Sequence, residues 1–228
     1  MGFSRYALPT ATRVFSGEER ATLVRRTYSL VLGSVVVTMA GVWFGLGNEG
    51  IRTSVLQHPF ISFLLILAPL MLAQSKKLAM PQRLGLVVLF AGMEGVWLSP
   101  IIFMANATAP GIVGQAGGLT LGAFSVLTFY AFVSRRDFSA WGSFLMVGLF
   151  VLLGTMLLTM FFPNPTAYLW IAAVGVLLMS GLLVFDTWRL RTVFGPDDYV
   201  PAAVQIYLDL LNMFLFILSL LGGGRRRG

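Results

Sequence analysis

The 228-residue chain has no cysteine, a single histidine and only nine acidic residues. Without cysteine there are no disulfides, thiol nucleophiles or thiolate metal sites. The lone His58 leaves no zinc cluster. Charged residues are 11% of the chain, against about 25% in an ordinary soluble domain, while 57% is hydrophobic and the mean hydropathy is +0.84. That balance excludes a water-soluble globule. The net charge of +7 would suggest nucleic acid in a soluble protein, but basic loops also arise from membrane topology, so no nucleic-acid partner is expected.

The scarce charges are bunched, and the gaps between them are long. No Lys, Arg, Asp or Glu occurs over residues 27–48 or 53–75, and each gap holds one membrane span of about 20 residues at about 1.5 Å rise. Over 84–134 the only charge is Glu94, and residues 106–110 break this run into a helical hairpin. Residues 138–185 carry no charge and have Pro163-Asn164-Pro165 at their middle, a turn signal that makes a second hairpin. The last span carries Asp209. The pattern predicts an all-α membrane protein of seven transmembrane helices, over 28–47, 56–74, 84–105, 111–133, 141–162, 167–187 and 201–221. A polar arm over 1–27 precedes this 28–221 domain and a short basic tail over 222–228 follows it. Runs such as 147–160 lack the alternation that a β-barrel needs. The first apolar run begins behind Arg5, Arg13, Arg20, Arg25 and Arg26, too late for a cleaved signal peptide, so the arm is expected to be retained.

Basic residues sort by side. The arm's five arginines, then Lys76, Lys77 and Arg83, then Arg135 and Arg136, then Arg189 and Arg191 fall on one face. Arg52 falls on the other. The positive-inside rule puts the first face, with the amino terminus, in the cytoplasm. Seven spans then put the carboxyl terminus outside, against which the tail residues Arg225, Arg226 and Arg227 count.

Three acids lie in or at the edge of spans: Glu94, Asp186 and Asp209. Such residues are costly to insert and face a bundle interior, a partner or a water-filled cavity. Asp186 ends the sixth span and Asp209 lies in the first half of the seventh, so two antiparallel neighbours bring them to similar depth. Two carboxyls close together at low dielectric cannot both ionise cheaply, so they share a proton and can switch with pH. They also form a hard-oxygen site of the kind calcium prefers. The plainer alternative is an interhelical hydrogen bond that locks two helices. Gln205, Asp209, Asn212 and Ser219 share one face of the seventh helix, which suits a central position in a bundle. Glu94, followed by Gly95, Ser99 and Pro100, is either a pore-lining acid at a kink or a protonated acid in a helix contact. Gly114, Gly118 and Gly122 predict close packing of the fourth helix, and His58 before Pro59 reads as a loop residue.

The segment Ile206-Tyr207-Leu208-Asp209-Leu210-Leu211-Asn212-Met213-Phe214 resembles the last-helix signature of the Bax inhibitor-1 family, also called the transmembrane Bax inhibitor motif family, in its bacterial branch. Glu94-Gly95-Val96-Trp97-Leu98-Ser99-Pro100, the stretch from Ser134-Arg135-Arg136-Asp137 to Gly142-Ser143-Phe144, and Phe185-Asp186-Thr187 agree in order. The resemblance implies a seventh helix surrounded by six others and a pH-sensitive calcium leak. In that fold the aspartates of helices six and seven, here Asp186 and Asp209, form the sensor and close the pore from the cytoplasmic side. It also implies a basic latch at the inner end of helix two, where the nearest match is Lys77, beside Lys76. Lys stands there in place of the family's Arg and lacks the bidentate fork, which weakens or removes the latch.

Three functions follow as expectations. The first is passive calcium permeation gated by Asp186 and Asp209, with Glu94, Gln205 and Asn212 along the pore, calcium and protons as the ions handled and no resident cofactor. The second is a non-conducting regulator that binds other membrane proteins, such as a membrane protease complex. The third is an intramembrane aspartyl protease, weakened because the Gly-x-Gly-Asp pattern is missing around Asp209. A serine rhomboid-like mechanism lacks its membrane-embedded histidine. The leading expectation is therefore not an enzyme.

Overall fold

The computed structural model describes residues 16–224, so Arg5, Arg13 and the three tail arginines lie outside the described residues. Among the described residues are eight helices and no strand: α1 (Gly17–Leu46), α2 (Glu49–Gln57), α3 (Pro59–Ala73), α4 (Met80–Thr108), α5 (Ile112–Val133), α6 (Trp141–Phe161), α7 (Pro165–Thr192) and α8 (Tyr199–Gly224). Six of these, all but α2 and α3, are long and apolar enough to cross a membrane.

The expected span over 56–74 is the one that changes. Pro59 disfavours helical backbone at the residue before it, and His58 sits there at φ −127° and ψ 55°. The bend of 99° separates α3, which takes up most of the expected span, from α2, which lies almost wholly before it. With 15 residues, α3 is roughly 22 Å long, short of a hydrocarbon core of about 30 Å. His58 itself is exposed at the bend, as a loop residue.

The other boundaries follow local chemistry. α1 starts at Gly17, well before residue 28, because Ser16 and Glu19 form a capping box: Glu19 donates its N–H to Ser16 Oγ at 3.1 Å and Ser16 donates its own to Glu19 Oε2 at 2.8 Å. Asn164 caps α7, its Oδ1 accepting from Thr166 N at 2.9 Å and Ala167 N at 3.3 Å, with Pro165 in the first turn where its missing N–H costs nothing. The α4–α5 turn passes through Gly111 at φ 83°, a left-handed conformation that favours glycine. Pro100 deprives the Val96 carbonyl of its helical partner, and Ser99 Oγ donates to that carbonyl at 2.8 Å, so α4 runs on through the proline.

Several arginines also cap helix ends, where carbonyls lack partners and the dipole is negative. α3, α5 and α7 end on the same face. Arg83 donates to Ala73 O at 2.9 Å, Arg191 to Phe132 O at 2.7 Å and Ser134 O at 2.8 Å, and Arg20 to Leu190 O at 3.1 Å and Phe194 O at 2.6 Å. Arg52 performs the same task for the end of α1 on the opposite face, through Gly45 O and Leu46 O. Arginines that enter the positive-inside count thus also cap helix ends.

Close packing occurs between α1 and α4. A Cβ on Gly41 would lie 2.3 Å from Gly92 O, and one on Gly95 would lie 2.1 Å from Thr38 O, so these backbones touch. The expectation of close packing through Gly114, Gly118 and Gly122 is corrected: a Cβ on any of them meets nothing within 4 Å. The packed stripe of α5 is Ile112, Ala116 and Thr120, two residues away and therefore about 200° around the helix.

α8 packs against α1, α4, α5 and α7, while α3 packs on α4 and α6 on α7. From Tyr199 to Gly223 every residue of α8 except Ser219 is buried or half-buried.

Candidate functional site

Asp186 lies in the penultimate turn of α7 and Asp209 in the first half of α8, and both are buried, at 7% and 6% exposure. Their carboxyls face each other across the α7–α8 contact, near enough to act on one another electrostatically. Two ionised carboxylates offer only acceptors, so a hydrogen bond between them would need a shared proton. Asp209 Oδ2 is buried and has no hydrogen-bond partner among the described residues. Two buried carboxyls thus lie side by side, with one acceptor oxygen that no described residue hydrogen-bonds.

The cation at this pair is Arg189, one turn beyond Asp186 on the same face of α7. Its Nη1 donates to Asp186 Oδ1 at 3.1 Å and to Gln205 Oε1 of α8 at 3.1 Å. The guanidinium stacks between two rings, with its Cζ 4.8 Å from the Phe194 centroid and 5.5 Å from that of Phe185. Around the pair, α8 supplies Asp209 and Gln205, and α1 supplies Tyr28, whose hydroxyl lies 3.3 Å from Thr187 Oγ1. From α6, Gly142 admits the Phe185 ring, which a Cβ there would meet at 2.7 Å.

The two lysines lie elsewhere. Lys77 is exposed in the α3–α4 loop, where its backbone N–H donates to Ser75 Oγ at 3.3 Å. Lys76 Nζ pairs with Asp198 Oδ1 at 3.0 Å, tying that loop to the entrance of α8. Neither ammonium reaches the aspartate pair, and the position beside Asp186 belongs to Arg189.

Of the proposed pore-lining residues, Gln205 is part of the site through Arg189. Asn212 is half-buried one turn beyond Asp209, whereas Ser219 is exposed, so the polar face of α8 points inward over its first half only. Glu94 is half-buried on α4, away from the pair and close enough to Tyr207 to act on it electrostatically. Tyr207 belongs to a second polar cluster. Thr38 of α1 lies 2.8 Å from Ser34 O and 3.2 Å from Ala91 O; its single proton serves a carbonyl, so the Tyr207 hydroxyl donates to it at 2.7 Å. This clasp joins α1, α4 and α8.

Two parts of this arrangement were not singled out from the residues alone. Arg189 counts toward orientation there, although its spacing of three from Asp186 is a helix-pair signal. Thr38 is a lone hydroxyl in an apolar run and carries no signal before its neighbours are known.

The family described as "Inhibitor of apoptosis-promoting Bax1" matches residues 20–226. "Bax inhibitor 1" of Schizosaccharomyces pombe is 31% identical over 208 residues, covering 89% of this chain and 77% of its own. "Protein lifeguard 4" of Mus musculus is 30% identical over 205 residues, covering 89% and 85%. An "Uncharacterized membrane protein" of Vibrio cholerae is 32% identical over 224 residues, covering 94% and 96%. With six membrane-length helices and these relatives along nearly all its length, the chain belongs to the Bax inhibitor family of integral membrane proteins.

Proposed function

We propose that the protein is a pH-sensitive calcium leak of a bacterial inner membrane, with its amino terminus in the cytoplasm and α8 as the central helix of the bundle. The observation that carries this reading is the buried Asp186–Asp209 pair across the α7–α8 contact, with an acceptor oxygen to spare. With the proton shared, the pair and Arg189 balance in charge and the two helices stay joined. Loss of that proton leaves two carboxylates repelling each other at low dielectric, which loosens the contact and leaves a net negative site for a cation. Flux therefore rises with pH. Calcium takes six to eight oxygens, but no three His, Cys, Asp or Glu side chains converge among the described residues. A calcium ion would keep most of its water there, which suits passage better than storage. No chemical reaction beyond proton exchange is assigned.

The test is calcium flux into proteoliposomes containing the purified protein. Asp209→Asn keeps an N–H donor where the shared proton sits, so its flux is expected to stay at the wild-type acid level at every pH. Wild-type protein that passes no calcium at any pH would defeat the proposal.

A second reading, a non-conducting regulator of other membrane proteins, draws on the open face of α5, where Gly114, Gly118 and Gly122 leave room for a partner helix. Co-purification of a stoichiometric membrane partner, together with absence of flux, would favour it.

A further inference from the structure

Arg189 stands where a permeating cation would stand. One nitrogen, Nη1, is 3.1 Å from Asp186 Oδ1 and 3.1 Å from Gln205 Oε1, so a charged carboxyl oxygen and a neutral amide oxygen from two different helices converge on a single positive group. Asp209, 6% exposed, adds a buried oxygen without a partner beside the same Asp186 carboxyl. Oxygens of this kind from carboxylate and amide groups are the ligands a hard divalent cation takes. The guanidinium is weakly hydrated and planar, suited to remain at such a site. It is also not deeply sealed: its side chain is 29% exposed and rests against Phe194 in the α7–α8 loop, whose carbonyl Arg20 of α1 holds.

We propose that Arg189 is a tethered plug: its guanidinium occupies a divalent-cation site made by Asp186, Gln205 and Asp209, and calcium reaches those oxygens only when Arg189 swings off them toward the loop. The proposal rests on the aspartate pair being the gate of the leak, and it adds an occupant that competes with the transported ion. It also explains why α3 contributes no cation to the pair, since α7 carries its own. Arg189 acts by holding the site shut and does not itself conduct.

The experiment measures calcium binding to the full-length protein in detergent by calorimetry, alongside flux in proteoliposomes, for wild type, Arg189→Gln, Arg189→Lys and Arg189→Gln/Asp209→Asn. Arg189→Gln is expected to bind calcium about tenfold more tightly than wild type, the change that about 1.4 kcal/mol confers. Arg189→Lys, which retains the charge, stays within about twofold, and the added Asp209→Asn removes the gain. A merely structural Arg189 would lower stability in both variants without raising affinity in either. If Arg189→Gln does not fold, Phe194→Ala carries the test: it removes the ring under the guanidinium and is expected to tighten binding about threefold. Unchanged calcium affinity in the folded variants overturns the plug, even where wild-type flux keeps its pH dependence and the leak stands. Tighter binding in Arg189→Gln with no flux in any variant supports the plug and overturns the leak.

Discussion

The α1–α4 contact and the α7–α8 contact are both intimate, but they are held by different forces. At the first, glycines bring backbone against backbone, with Gly41 against Gly92 and Gly95 against Thr38. Dispersion, shape and the Thr38 hydroxyl against Ala91 O hold it, and no ion pair crosses it among the described residues. At the second, the Arg189 guanidinium bridges the Asp186 carboxyl and the Gln205 amide beside the buried Asp209 carboxyl. A packed backbone contact has one good arrangement, whereas a polar contact can be rearranged by a proton or a cation. Under the proposed function, α1–α4 is the frame and α7–α8 the moving part.

The largest expected effect lies in the frame. Gly95→Leu forces a side chain into Thr38 O, which even a Cβ would meet at 2.1 Å, and is expected to cost about 3 kcal/mol or more, seen as loss of the monodisperse protein or a steep fall in Tm in detergent. A Tm within experimental error of wild type would show that the glycine contact is not structural. Tyr207→Phe removes the hydroxyl that joins α8 to Thr38 and costs about 1 kcal/mol, with the pH profile of flux unmoved because the aspartate pair is intact. A displaced profile would make the clasp part of the gate. Smallest is Gly118→Leu on the open face of α5, expected to change stability by less than about 0.5 kcal/mol. A large loss in the isolated protein would mean that this face is covered.

Much of this was legible in the charges. Gaps in charge located α1 and α4 to α8 because the bilayer imposes a length that polar groups cannot interrupt. The α2–α3 bend was less legible, although His58-Pro59 holds the signal, because an apolar run over 53–75 has the same composition straight or broken. Glycine spacing misled at α5 because a small-residue stripe permits a close neighbour without requiring one; Gly41 and Gly95 make that contact instead. Asp186 and Asp209 could be paired from depth alone. The link from Arg189 to Gln205 could not, since it depends on the rotation of α7 against α8, which neither helix encodes by itself.

The central claim is that a proton shared by Asp186 and Asp209 holds the α7–α8 contact closed. Its most direct test is the pH profile of calcium flux through the Asp186→Asn/Asp209→Asn protein in proteoliposomes. The account predicts low flux that no longer responds to pH. A double variant whose flux rises with pH as in wild type would contradict it.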